Sequence, residues 1–155
     1  MAEEPDPRAL RVVLVDPQPE RPQVMRHVVE RSALAATVIA EADNKAGAVE
    51  LLERSDAELV VLEIQPVEEG LDTIAALHSR WPRLRIVVCS FHRDEATKRR
   101  ALDLGAGAYL DKPVGPAELT AVLRELFADA TAALRVPATT ASVATTPQRF
   151  EAASA

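Results

Sequence analysis

Apolar residues in this chain alternate between two textures. In one they form short unbroken blocks; in the next they return every third or fourth position. The blocks cover residues 10–15, 37–42, 58–65, 84–89 and 108–110. Four or five apolar residues in a row, without alternation, read as strands buried on both faces of a parallel sheet. The stretches between them read as helices. Val24, Met25, Val28, Val29 and Ser32 supply one face of a helix that starts near residues 20–22, after a loop stiffened by Pro17, Pro19 and Pro22. Asp43 or Asn44 can cap a second helix with Ala48, Leu51 and Leu52 inward. Residues 71–80 repeat the pattern through Leu71, Ile74, Ala75 and Leu77 until Trp81-Pro82 ends it, with Trp81 packing over the helix end. Thr97, Ala101 and Leu104 mark a thin stripe over 94–104, broken by Gly105-Ala-Gly107. Residues 116–134 carry the cleanest amphipathic pattern, through Leu119, Val122, Leu123, Leu126, Phe127 and Ala130.

Strand and helix therefore alternate five times. That order predicts right-handed crossovers and an α/β fold whose parallel sheet is covered on both faces. Residues 1–8 read as a loose leader and 9–134 as one domain. Beyond Leu134 the chain turns to Ala, Thr, Ser and Pro without periodicity, so 135–155 is expected to be a disordered tail, dispensable for folding.

Composition narrows the classes. A chain of 155 residues with 48% hydrophobic and 27% charged residues is expected to be one soluble domain. A net charge of −6 argues against nucleic-acid binding. The acidic start has no apolar core of the kind a signal peptide needs, and no apolar run nears the roughly 20 residues of a membrane span. A cytoplasmic address is the expectation. Cys89, the single cysteine, sits inside an apolar block and reads as a small hydrophobe.

The chemistry lies at the block ends. Asp16 closes the first, Glu63 the third and Ser90 the fourth, and Lys112 follows the fifth. In a parallel sheet these positions share the carboxyl edge, where open α/β folds place their sites. Lys112 is one of only three lysines among 18 basic residues, and Pro113 follows it. A salt bridge that merely closes the sheet edge is the structural alternative to a functional site.

These segments, Val-Val-Leu-Val-Asp16, Glu-Leu-Val-Val-Leu-Glu63-Ile-Gln, Ile-Val-Val-Cys-Ser90 and Gly105-Ala-Gly-Ala-Tyr109-Leu-Asp-Lys112-Pro113, resemble the receiver domain of bacterial two-component response regulators over roughly 9–134. The resemblance implies a flavodoxin-like (βα)5 doubly wound parallel sheet with strand order 2-1-3-4-5. It also implies a phosphoacceptor aspartate after the third strand, two adjacent acids that hold Mg²⁺, a Ser or Thr for the phosphoryl oxygens, and a charge-neutralising Lys. Ser90 and Lys112 match. Glu63 stands at the phosphoacceptor position, Pro17 replaces the second acid, Phe91 occupies a place usually held by a small residue, and the 63–70 loop is one residue shorter than usual.

Each departure weakens the same chemistry. Mg²⁺ takes near-octahedral oxygens, usually from one or two carboxylates, and phosphoryl transfer depends on positioning. The expectation is an atypical, stand-alone pseudo-receiver: not an enzyme, with no cofactor, weak or absent Mg²⁺ binding (Asp16, Glu63 and Gln65 the residual candidates), and Glu63 paired with Lys112. It would act through protein–protein interaction with a histidine kinase or another regulator. The surface expected for that partner is the fourth helix, fifth strand and fifth helix, where Tyr109 is the aromatic switch position and Phe91, Lys98, Arg99 and Arg100 are the interaction candidates. A homodimer is one possible form. The alternatives are a phosphorylatable single-domain receiver in a phosphorelay and a small-ligand-sensing pseudo-receiver. His27, His78 and His92 lack metal-ligand spacing and read as surface residues.

Overall fold

The computed structural model of the chain describes residues 9–18, 22–32 and 34–128. The expected leader, the tail and residues 129–134 lie outside them. The chain divides into two units, Met1–Leu123 and Arg124–Ala155. The first holds the whole sheet; of the second, only 124–128 are described.

The elements follow the alternation: β1 (Leu10–Val15), α1 (Pro22–Glu30), β2 (Ala36–Ala42), α2 (Lys45–Glu53), β3 (Leu59–Leu62), α3 (Val67–Arg80), β4 (Arg85–Ser90), α4 (Glu95–Asp103), β5 (Ala108–Asp111) and α5 (Pro116–Leu126). The five strands form one sheet in the order β2-β1-β3-β4-β5, every neighbouring pair parallel. This is the flavodoxin-like (βα)5 arrangement. β3 lies at its centre, between β1 and β4, and all four of its residues are buried. A strand covered on both faces has no position to give to water, which is why its sequence shows no alternation.

Helix ends follow local chemistry. The Asn44 side chain caps α2 by accepting from the Gly47 N–H at 2.7 Å, and Asp94 caps α4 by accepting from the Thr97 N–H at 3.0 Å. Gly105 ends the α4 connection at φ +125°, a conformation that disfavours a side chain, and a Cβ there would lie 2.3 Å from the His78 ring. Gly70, in the first turns of α3, lets that helix close on the strand end: a Cβ would come within 2.4 Å of Ile64 Cβ.

The elements depart from expectation in two places. α3 starts at Val67, four residues before the apolar stripe, because Glu68 and Glu69 occupy its first turn and carry no apolar signal. Val24 is 65% exposed although its spacing placed it on the inner face of α1; Met25, Val28 and Val29 are the buried residues of that helix among those described. Ser32 is buried but lies past the helix end. Trp81 packs against the core with the Arg80 guanidinium 4.7 Å from its ring centre.

Candidate functional site

Asp16, Glu63 and Lys112 are each held one step past a strand by the sheet's own hydrogen bonds, and Ser90 is the last residue of β4. The Asp16 N–H donates to the Ala42 carbonyl, Glu63 to Val15 and Lys112 to Ser90, all at 2.9 Å. Rigid backbone thus delivers Asp16, Glu63, Ser90 and Lys112 to one edge. Their exposures run from 0% for Ser90 to 7% for Glu63.

Lys112 Nζ lies 2.9 Å from Glu63 Oε1 and 4.0 Å from Asp16 Oδ2. Two carboxylates thus face one ammonium out of water, where each charge depends on the other's compensation. Asp16 Oδ1 also accepts from the Gln18 N–H at 2.8 Å, which turns the chain over Pro17. Asp16 Oδ2 and Glu63 Oε2 are buried without a hydrogen-bond partner. The space bounded by Asp16, Glu63, Cys89 and Lys112 is about 10 Å³. That is at the lower limit of what holds one water. The Cys89 thiol packs here as expected of a small hydrophobe; its burial pushes its pKa up to about 12, against the opposing pull of Lys112.

The β4–α4 connection closes over Lys112. Phe91, expected to crowd the site, is instead 51% exposed, with its ring centre 5.5 Å from Lys112 Nζ, a cation–π distance. Arg93 donates to the Lys112 carbonyl at 2.6 Å. Ser90 Oγ accepts from the His92 N–H at 3.1 Å, and the Tyr109 hydroxyl donates to the His92 carbonyl. Tyr109 packs against the core, and burial raises its pKa, opposed by its hydrogen bond with Ser90. Nothing in the sequence singled out Arg93, whose partner is a backbone carbonyl and so leaves no mark in residue type.

Lys98, Arg99 and Arg100 do not form one patch. Lys98 turns to Asp111 of β5 at 3.0 Å and lies 5.8 Å from the Tyr109 ring centre. Arg100 forms a two-pronged pair with Glu68 of α3 at 2.9 and 3.0 Å, which lowers the pKa of Glu68. Arg99 is exposed and has no partner among the described residues. His27 and His78 are exposed and His92 is half-buried.

The donor set fits Mg²⁺ poorly. Pro17 offers no side-chain oxygen, Lys112 already takes one oxygen of Glu63, and Gln65 is exposed. Among the described residues, no group of three or more acidic, His or Cys side chains is placed to hold a metal ion.

A five-stranded parallel sheet in this order, with acids, a hydroxyl and a lysine at its carboxyl edge, defines a receiver-type α/β domain. Residues 12–124 match the response regulator receiver domain, and the chain belongs to that family. It is 35% identical over 109 residues to the protein-glutamate methylesterase/protein-glutamine glutaminase 4 of Myxococcus xanthus, covering 69% of this chain and 31% of that protein. It is 31% identical over 118 residues to the nitrate/nitrite response regulator protein NarL of Escherichia coli K12, covering 76% and 54%. A signal receiver domain from Mycobacterium tuberculosis superposes with a TM-score of 0.67 at 29% identity, covering 77% of this chain and 98% of that one. The chain therefore spans about a third to about half the length of these two curated relatives, and the esterase match reaches only the receiver part of that enzyme. Receiver domains are signalling modules of two-component systems that work with kinases and other regulators. No helix among the described residues is long and apolar enough to cross a membrane.

Proposed function

We propose that this receiver signals through protein–protein contacts without a phosphorylation cycle. The observation that carries the reading is the Lys112–Glu63 pair: 2.9 Å, both side chains under a tenth exposed, with Asp16 behind it. The ammonium that would neutralise an incoming phosphoryl group is already engaged by the residue at the acceptor position. Phosphoryl transfer needs in-line positioning and a metal to offset developing charge; the longer Glu63 works against the first and Pro17 against the second. No step through Mg²⁺ is assigned to this site. The partner is a signalling protein, a histidine kinase or another regulator, that docks on α4, β5 and the start of α5, with the chain alone or as a homodimer. Arg99 is the outward charge of that face, whereas Lys98 and Arg100 hold the fold's own carboxylates.

Intact-mass measurement after incubation with acetyl phosphate and Mg²⁺ tests the reading. The wild type and Glu63→Asp are expected to gain no phosphoryl group. The combined variant Pro17→Asp, Glu63→Asp, Phe91→Ala restores an acid and the shorter acceptor and removes the ring beside Lys112, and is expected to be labelled. Robust labelling of the wild type would sink the proposal.

A further inference from the structure

The β4–α4 connection grips Lys112 twice. The Phe91 ring centre lies 5.5 Å from its Nζ, and Arg93 donates to its carbonyl at 2.6 Å. Both side chains therefore flank one residue at the carboxyl edge of the sheet. Phe91 is 51% exposed, and Arg93 is exposed as well. Between them, the His92 carbonyl accepts from the Tyr109 hydroxyl and the His92 N–H donates to Ser90 Oγ, so the backbone that carries both is fixed from two sides.

Arg93 differs from the other cations of this corner. Lys98 faces Asp111, Arg100 faces Glu68, and Lys112 faces Glu63. Arg93 answers only to a neutral carbonyl oxygen, and no carboxylate among the described residues forms an ion pair with it. That oxygen occupies only part of the planar fork of N–H donors that a guanidinium carries, and the fork matches a carboxylate. The charge is anchored but not neutralised. Anchoring matters because a guanidinium already held in place loses less freedom when a second group binds it. Asp94, the next residue, is held by the Thr97 N–H and hydroxyl at the start of α4, and the exposed Glu95 follows it.

Aromatic rings and arginines are the residue types that carry most binding energy in protein interfaces. Here each selects a different group: the ring takes apolar surface, and the fork takes an anion. The two acids that follow Arg93 limit how much negative charge the corner admits. A run of carboxylates would meet Asp94 and Glu95, whereas a single one can pair with the fork. We propose that Phe91 and Arg93 form a recognition corner for a partner protein segment that presents one Asp or Glu beside an apolar side chain. The proposal rests on the protein-contact reading above and names the chemistry of that contact.

A library of short random peptides displayed on phage, selected on the full-length chain, provides the test. Enriched peptides are expected to share one acid next to an apolar residue. Arg93→Gln should weaken the best of them about tenfold, the scale of one charge-assisted hydrogen bond, and Phe91→Ala should weaken it as well. Arg83→Gln removes the same charge just before β4, at the opposite edge of the sheet, and should change nothing. Replacing the peptide's acid by its amide separates direct contact from an effect on the loop. That change should cost about tenfold with the wild type and almost nothing with Arg93→Gln. Selection of no peptide, a consensus without an acid, or an equal cost of the amide with both proteins overturns the proposal. Acetyl phosphate labelling reads a different event, so this corner and the reading it rests on can fail separately.

Discussion

Two ion pairs in this molecule have the same length and different surroundings. Lys112 meets Glu63 at 2.9 Å at the sheet edge, and Arg100 meets Glu68 at 2.9 Å across α3 and α4. The first pair has side chains 8% and 5% exposed, the second 53% and 72%. Geometry alone would rate the second higher, since it is two-pronged. Water reverses the ranking: it screens and replaces the exposed partners but cannot reach the buried ones. At the edge, what matters is less the attraction gained than the charge stranded when one partner is lost.

The contrast can be broken most directly at Lys112. Lys112→Ala leaves Asp16 and Glu63 buried together, and urea unfolding should show a loss on the order of 3 kcal/mol, the scale for stranding a buried charge. Replacing both partners, Glu63→Leu with Lys112→Met, should recover most of that loss, because the desolvation cost goes with the charges. If the double variant is as unstable as Lys112→Ala, packing rather than charge governs the site. On the exposed side, Lys45→Ala removes the pair with Asp72, and the same measurement should change by less than about 1 kcal/mol. The smallest effect concerns pH. Arg100 holds the pKa of Glu68 below its ordinary 4.5. A depressed carboxylate stabilises the fold above its unfolded pKa, and that stability is lost as pH falls through the folded value. Arg100→Ala should therefore cost slightly at neutral pH and nothing in strong acid, seen as a shallower acid limb in thermal melts. An equal loss at both ends would assign Arg100 a packing role.

The buried region was also the legible one. Runs such as Leu59–Leu62 announce themselves because a strand covered on both faces excludes polar residues. The strand-end rule then placed Asp16, Glu63, Ser90 and Lys112 together without any knowledge of distance. The outer shell resisted. Val24 satisfied the helical spacing yet faces out, since spacing locates a stripe but not its edges. Lys98 and Arg100 stand two residues apart in one basic run, yet one reaches β5 and the other α3. Long side chains choose their partners from tertiary neighbours that residue type does not reveal.

The sheet order gives the Lys112–Glu63 contact a mechanical meaning. β5 is a strand of four residues at the edge of the sheet, and among the described residues β4 is its only neighbour there. β4 separates it from β3, so a side chain leaving the end of β5 and ending on Glu63 spans a whole strand. The pair is a strap across the sheet's weaker margin, fastening its last strand to its central one. Edge strands fray first, and local opening sets the rate at which their amides exchange with solvent. Cutting the strap should therefore quicken exchange at Leu110 and Lys112 while leaving Val60 and Val61 as slow as global unfolding allows. The residue placed where phosphoryl chemistry would begin thus also fastens the edge of the sheet.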